Sequence, residues 1–410
     1  MEFIKQSSEK MNKIFLLLLV TVCILQIHNL LSFPTSRGFD ALNHRDYISF
    51  IKTEKRIPLP SEGWELYQPP LYYLIASIFP NTTQVKLIGF ITWIILTIFS
   101  YYFYKKVFKD SSLAYLGAVI ITSLPVVLYL TPTISNEFFS GVMISLTLIY
   151  YLLNINNLKQ NSKIFLGILI GLSLLAKATA FVLLLSICLS EFWPQRKKLI
   201  NALKLLILPL SVAILISGWF YGRNLILYKN PFISSVDFPR FQDRQKPTGR
   251  NLKFFTDLTG FSKMDLYKSH HYSLLPGTYF SWFYDGHNVL LPVQEYSKKG
   301  ILLMVFTIPI FFISVFGYFK EIKNISVNNL LFIIYPLFLF ISYILYNLKI
   351  PLYSTVKGSF LVSLVVPFGY FFLRGIEEYK SKMPFILSYL ILYIGIVILN
   401  FWINPTWYKQ

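Results

Sequence analysis

About eleven stretches of this chain are almost wholly apolar and are separated by short turns rich in Lys and Arg: 14–31, 86–104, 113–130, 138–153, 164–176, 178–192, 199–221, 301–319, 327–345, 358–373 and 384–401. A helical run of about 18 apolar residues matches a hydrocarbon core of about 30 Å. With no water in that core, each segment must satisfy its backbone internally, and consecutive runs of this length do so as helices. Composition agrees, since charged residues make up 14% of the 410 positions against about 25% in soluble domains. The expected fold is an all-α polytopic membrane protein of about eleven transmembrane helices.

The formal charge of +19 raises the question of nucleic acid. The basic residues are scattered through the turns and form no single face, which excludes a nucleic-acid surface and fits topology signals and contacts with anionic lipid. Only Cys23 and Cys188 occur, both within apolar runs, so neither a disulfide framework nor a thiolate metal site is indicated. A basic lead before 14–31 and the lack of a small-residue cleavage pattern after it predict an uncleaved first helix that starts in the cytoplasm. Parity then puts Lys105, Lys106, Lys109, Lys159, Lys163 and the QRKK run at 195–198 on the cytoplasmic side, and the C-terminus outside. The apolar stretch 164–192 carries Lys177 at its middle, which predicts two short helices in a hairpin with an external tip.

Two polar segments interrupt the pattern, an external loop at 32–85 and a second external loop or small subdomain at 232–299. They divide the chain into a membrane module over 1–231, that second segment, and C-terminal helices over 300–410. The first loop holds GFDALNHRDYI, in which Asp40 and His44 fall one helical turn apart, close enough to share a proton. It continues through Trp64, Glu65, Tyr67 and Gln68 into PPLYYLIASIF, too short to span and expected to lie along the interface with Trp64, Tyr67, Tyr72 and Tyr73 as interfacial aromatics.

The same topology brings Asn136, Glu137, Lys177, Arg223, Asn224, Lys349 and Lys357 to the external side. Several independent segments thus deliver acids and cations to one face. A carboxylate that takes a hydroxyl proton, next to cations that neutralise a departing phosphate, is the equipment for glycosyl transfer from a phospholipid-linked sugar. Each residue keeps a second reading. His44 orients Asp40, binds acceptor or is solvated; Lys177 faces a cavity or snorkels; Arg223 and Lys357 meet a substrate phosphate or lipid headgroups. Glu137 is a second acid, a metal ligand or a favourable charge at a helix start. His270, His271 and His287 lack zinc-motif spacing and are expected as loop residues.

The order FD-x3-H-x2-YI, P-x-P, WELYQPPLYY, SNE at 135–137, GLSLLAKATA at 171–180 and GWFYGRNLILYKNP at 218–231 resembles bacterial GT-C glycosyltransferases. The resemblance is to the protein O-mannosyltransferases and lipid A aminoarabinose transferases, and it fades after about residue 232. It implies an inverting transferase that uses a polyprenyl-phosphate sugar as donor and a glycan, lipid or protein as acceptor. Asp40 is implied as the base, and His44, Glu65, Gln68, Asn136, Glu137, Lys177, Arg223 and Lys357 are the expected substrate-binding residues. Two departures stand out: Ala41 follows Asp40 where many relatives have Glu, and Gln68 stands where the aminoarabinose enzymes have Lys before Pro-Pro. The phosphate contact of that lysine then falls to Lys177, Arg223 or Lys357, or is absent. No cofactor is identified; a divalent cation is compatible with the acids and not required by the sequence. The expected location is a bacterial inner membrane with the site external. The rival functions are a lipid-sugar flippase or transporter, a sugar polymerase or ligase of similar architecture, and a nonenzymatic scaffold.

Overall fold

The computed structural model describes residues 2–154, 159–193, 199–242, 247–291 and 297–408; the QRKK turn expected at 195–198 lies outside them. The chain opens with α1 (Glu2–Ser32), and its first loop carries α2 (Ala41–Glu54) and α3 (Leu71–Ser77). There follow α4 (Thr82–Phe108), α5 (Ser111–Thr122), α6 (Pro125–Leu130), α7 (Asn136–Asn154), α8 (Gln160–Ala176), α9 (Ala180–Phe192) and α10 (Leu199–Tyr228). The second polar segment holds α11 (Pro239–Gln242), α12 (Leu252–Thr256), α13 (Thr259–Lys263) and α14 (Leu274–Phe283). The chain closes with α15 (Ser297–Lys323), α16 (Leu330–Lys349), α17 (Val365–Ile376) and α18 (Met383–Phe401). No strand occurs among the described residues.

Local chemistry sets the ends of these helices. The Asn81 side chain accepts from the Gln84 amide at the start of α4, and Asp110 accepts from Ser112 and Leu113 at the start of α5. Lys109 stops α4 in a left-handed conformation after Lys105 and Lys106 have been placed at its negative end. The stretch expected as one helix over 113–130 is two, because Pro125 begins α6 and Leu124 before it is held extended. Near the end of α1, Lys86 from α4 donates to the carbonyls of Leu30 and Phe33, so a buried cation takes up backbone acceptors that hydrocarbon would leave bare.

Length and apolarity assign seven crossing segments among the described residues, the last of which, Tyr353–Tyr408, contains both α17 and α18. The expected figure of eleven is therefore not reached on length alone, since α5, α8 and α9 are shorter apolar helices. Large apolar side chains such as Leu17, Ile24, Ile207, Leu215 and Phe312 face outward along these helices, the face a bilayer would cover. Inside, α8 packs on α7 and α10, α15 on α17, α1 on α5 and α18, and α16 closes against α9. The α15–α17 contact depends on small residues: a Cβ on Gly317 would run into the carbonyl oxygen of Phe371.

The hairpin expected around Lys177 is present, with α8 ending at Ala176 and α9 starting at Ala180. The segment 232–299 carries short helices, one of them apolar. Its α14, LLPGTYFSWF, buries Leu274, Phe280, Trp282 and Phe283 within the bundle, because a run this apolar has no stable place in water. Tyr129 of α6 donates to the Ser281 carbonyl at 2.6 Å, and the Tyr279 and Thr307 hydroxyls meet at 3.1 Å, which ties α14 to both halves of the fold.

Candidate active site

The site begins with a backbone feature. Gly38 has φ +128°, and a Cβ there would press on Thr133 at 3.2 Å. Two residues on, Asp40 takes φ 50° and ψ 24°, a left-handed conformation that Asp tolerates better than most side chains, and becomes the N-cap of α2. Its carboxylate makes no capping bond, so it is left facing a cavity of about 390 Å³.

His44 follows one turn later, its amide donating to the Asp40 carbonyl at 2.9 Å. The solvated reading of His44 is wrong, since it is buried, and the expected proton sharing with Asp40 is replaced by a 2.8 Å bond from Nδ1 to the Tyr73 hydroxyl. Burial drives its pKa down to about 4, against partial opposition from Asp40 and Glu137, so the imidazole is neutral at neutral pH. The interfacial reading of Tyr72 and Tyr73 also fails. Both are buried in a satellite core under the first loop, where Tyr73 stacks on Tyr47 at 3.8 Å.

The next wall is a hydrogen-bonded cluster. Gln68 donates through Nε2 to Glu65 Oε2 and to the Tyr67 hydroxyl, each at 3.0 Å, while its Oε1 accepts from Asn136 Nδ2 at 3.3 Å. Gln68 thus joins the first loop to the start of α7. Asn136 is fully buried behind it and is not among the residues that line the cavity. Burial, with the Asp40 charge adding to it, holds the Glu65 carboxyl well above the usual carboxylate range. Trp64, Glu65, Tyr67 and Gln68 all line the cavity.

The same cavity is lined by cations. Lys177, at the break between α8 and α9, is ion-paired with Glu137 in the first turn of α7, and both are buried. Lys357 is buried too, its ammonium 4.4 Å from the centroid of the Phe39 ring and 4.7 Å from that of Phe360. Among the described residues Lys357 has no carboxylate within ion-pairing distance. Arg223 stands apart from the cavity lining, bonded to the Pro58 carbonyl at 3.1 Å and to Asn224 at 3.3 Å, so its guanidinium ties the first loop to α10. Asn224 and Lys349 do line the cavity. Phe39, Tyr346 and Phe360 also line it, and sequence reasoning missed them; the only available signal was an aromatic beside the acid and another three residues after a lysine. Among the described residues no three His, Cys, Asp or Glu side chains are grouped to hold a metal ion.

The bundle, the helix-bearing first loop and the cavity define the class, an all-α polytopic membrane protein. No family model matches the chain, and no curated protein matches its sequence. Solved structures do match. ArnT, the lipid A aminoarabinose transferase, from Cupriavidus metallidurans bound to undecaprenyl phosphate superposes with a TM-score of 0.57 at 13% identity, over 94% of this chain and 63% of that one. The Archaeoglobus fulgidus oligosaccharyltransferase tethered to an acceptor peptide containing the NVT sequon matches with a TM-score of 0.57 at 14% identity, over 95% and 54% of the two chains. The same enzyme with Zn and sulfate matches with a TM-score of 0.57 at 14% identity over 96% and 54%. The chain therefore spans less than two thirds of the length of these proteins. The fold likeness continues well beyond residue 232, where the sequence resemblance fades.

Proposed function

We propose that this protein is an inverting glycosyltransferase that moves a sugar from a polyprenyl-phosphate donor to an acceptor hydroxyl or amine. The observation that carries the reading is one cavity lined both by Asp40, whose carboxylate makes no capping bond, and by Lys357, whose ammonium has no carboxylate within ion-pairing distance among the described residues. In the step we envisage, Asp40 accepts the acceptor's proton while the acceptor lone pair forms a bond to the anomeric carbon. The bond from that carbon to the phosphate oxygen breaks on the opposite side, and its electron pair leaves with the polyprenyl phosphate. Lys357 offsets the charge gathering on the phosphate, with Lys177 behind it partly neutralised by Glu137. Glu65, Gln68 and the neutral His44 supply hydrogen-bonding groups for sugar or acceptor hydroxyls along the same wall. The basic turns support an external site in a bacterial inner membrane, with the N-terminus in the cytoplasm. The acidic residues are compatible with a divalent cation, and no step above depends on one.

The test is transfer of label from polyprenyl-phosphate sugars to candidate glycan, lipid and protein acceptors by purified protein, comparing wild type with Asp40→Asn at equal expression and equal thermal stability. Loss of the base should lower the rate on the order of 100-fold or more. Equal transfer by both proteins would refute the assignment of Asp40. Movement of lipid-linked sugar across vesicles without transfer to any acceptor would favour a flippase.

A further inference from the structure

The segment that includes α14 holds the backbone on both sides of Lys357. On one side, His287 Nε2 lies 2.7 Å from the carbonyl oxygen of Val356. A carbonyl only accepts, so that nitrogen carries the proton and the neutral ring is fixed in one tautomer. On the other side, the Gly358 amide donates to Ser281 Oγ at 2.7 Å. The approach is close: a Cβ on Gly358 would stand 2.8 Å from the Trp282 nitrogen, and one on Gly277 would stand 2.8 Å from Val356 Cγ1.

His287 is itself held from below and beside. Asp285 is fully buried and accepts from the amides of Val289, Leu290 and Leu291 at 2.7–2.8 Å, which pins the turn that carries the ring. His270 stacks on the His287 ring at 4.0 Å, and His287 in turn meets the Phe39 ring edge-to-face at 5.3 Å. Phe39 is the residue before Asp40, and its ring carries the Lys357 ammonium. One imidazole thus braces both the loop that presents the cation and the aromatic ring that the cation rests on.

We infer that His287 is a positioning residue for anion binding: together with Ser281 it fixes Lys357 so that its ammonium points into the cavity toward a lipid-linked phosphate. The inference rests on the proposed role of Lys357 and gives a purpose to a segment that the transfer chemistry leaves unused.

The experiment measures binding of undecaprenyl phosphate to the purified full-length protein in nanodiscs, alongside KM and kcat for transfer. His287→Leu keeps the bulk and removes the donor, whereas His287→Gln restores an N–H at similar reach. His287→Leu should weaken undecaprenyl phosphate binding about tenfold and raise KM more than it lowers kcat, with Gln recovering most of the loss. The effect should be largely absent when Lys357 is already Met, since both changes then remove one interaction. Unchanged binding by folded His287→Leu, or full additivity with Lys357→Met, would overturn the positioning role. If Lys357→Met alone leaves binding unchanged, the phosphate reading of Lys357 falls instead, so the two failures are distinct. Should His287→Leu not fold, Ser281→Ala removes the other half of the clamp and is held to the same two outcomes.

Discussion

The Glu137–Lys177 pair separates a structural cation from a substrate-binding one, and a mutant cycle measures the difference. Both side chains are largely withdrawn from solvent, with 8% and 11% of their surfaces exposed. Lys177→Met leaves the Glu137 carboxylate without its cation, and breaking a buried pair in this way costs about 3–5 kcal/mol. Glu137→Gln leaves the ammonium instead, which still has the Phe360 ring at 5.1 Å, so its cost should fall at the lower end of that range, about 3 kcal/mol. The double variant removes both charges together with both desolvation penalties and should return to within about 1 kcal/mol of wild type. The coupling energy is therefore expected to be large, about 5 kcal/mol or more, and to favour the double variant. The assay is denaturant unfolding of the four proteins in one detergent at one pH. Single variants that each lie within about 0.5 kcal/mol of wild type, and that add in the double, would refute the reasoning by making the pair a solvated surface contact. Lys357→Met should show the reverse pattern, with stability retained because a buried charge with no ionic partner has been removed, and undecaprenyl phosphate binding reduced at least about tenfold.

Two further outcomes follow from packing and burial. Gly317→Ala should destabilise by about 1–3 kcal/mol, because the new methyl group meets the Phe371 carbonyl and forces α15 from α17. Gly395→Ala, where a Cβ would meet nothing within 4 Å, is the control and should be neutral or stabilising in the same unfolding measurement. His44 sets an acid limit. Its native pKa lies near 4, below the ordinary 6.5, so between these values the unfolded chain binds the proton that the native protein refuses. Stability then falls as the pH drops from about 6.5 to about 4, by about 3 kcal/mol in all. Unfolding midpoints for wild type and His44→Gln should diverge in slope across that window, and parallel curves would sink the prediction.

How much of this was legible beforehand depends on how far apart the interacting residues lie in the chain. The break at Lys177 and most of the helices are local: apolar run length and a charge within a run place them, although Pro125 divides the run 113–130, and the one-turn spacing of Asp40 and His44 is local as well. What the side chains do is decided by partners far along the chain. Arg223 looked as good a phosphate ligand as Lys357, and it is spent on a carbonyl 165 residues away. Lys177 meets its acid across 40 residues, and His287 meets Val356 across 69. Tyr72 and Tyr73 show the same limit, since an aromatic next to a membrane suits an interface and a core equally until Tyr47 is seen to stack on one of them. Residue type therefore nominated three cations, and partnership sorts them: one braces the first loop, one balances Glu137, and one has no carboxylate within ion-pairing distance among the described residues. A buried ammonium without an ionic partner is costly to keep, and the ligand that would repay that cost is an anion. That is the reason to seek the donor phosphate at Lys357, and to treat the segment that clamps it as part of the site.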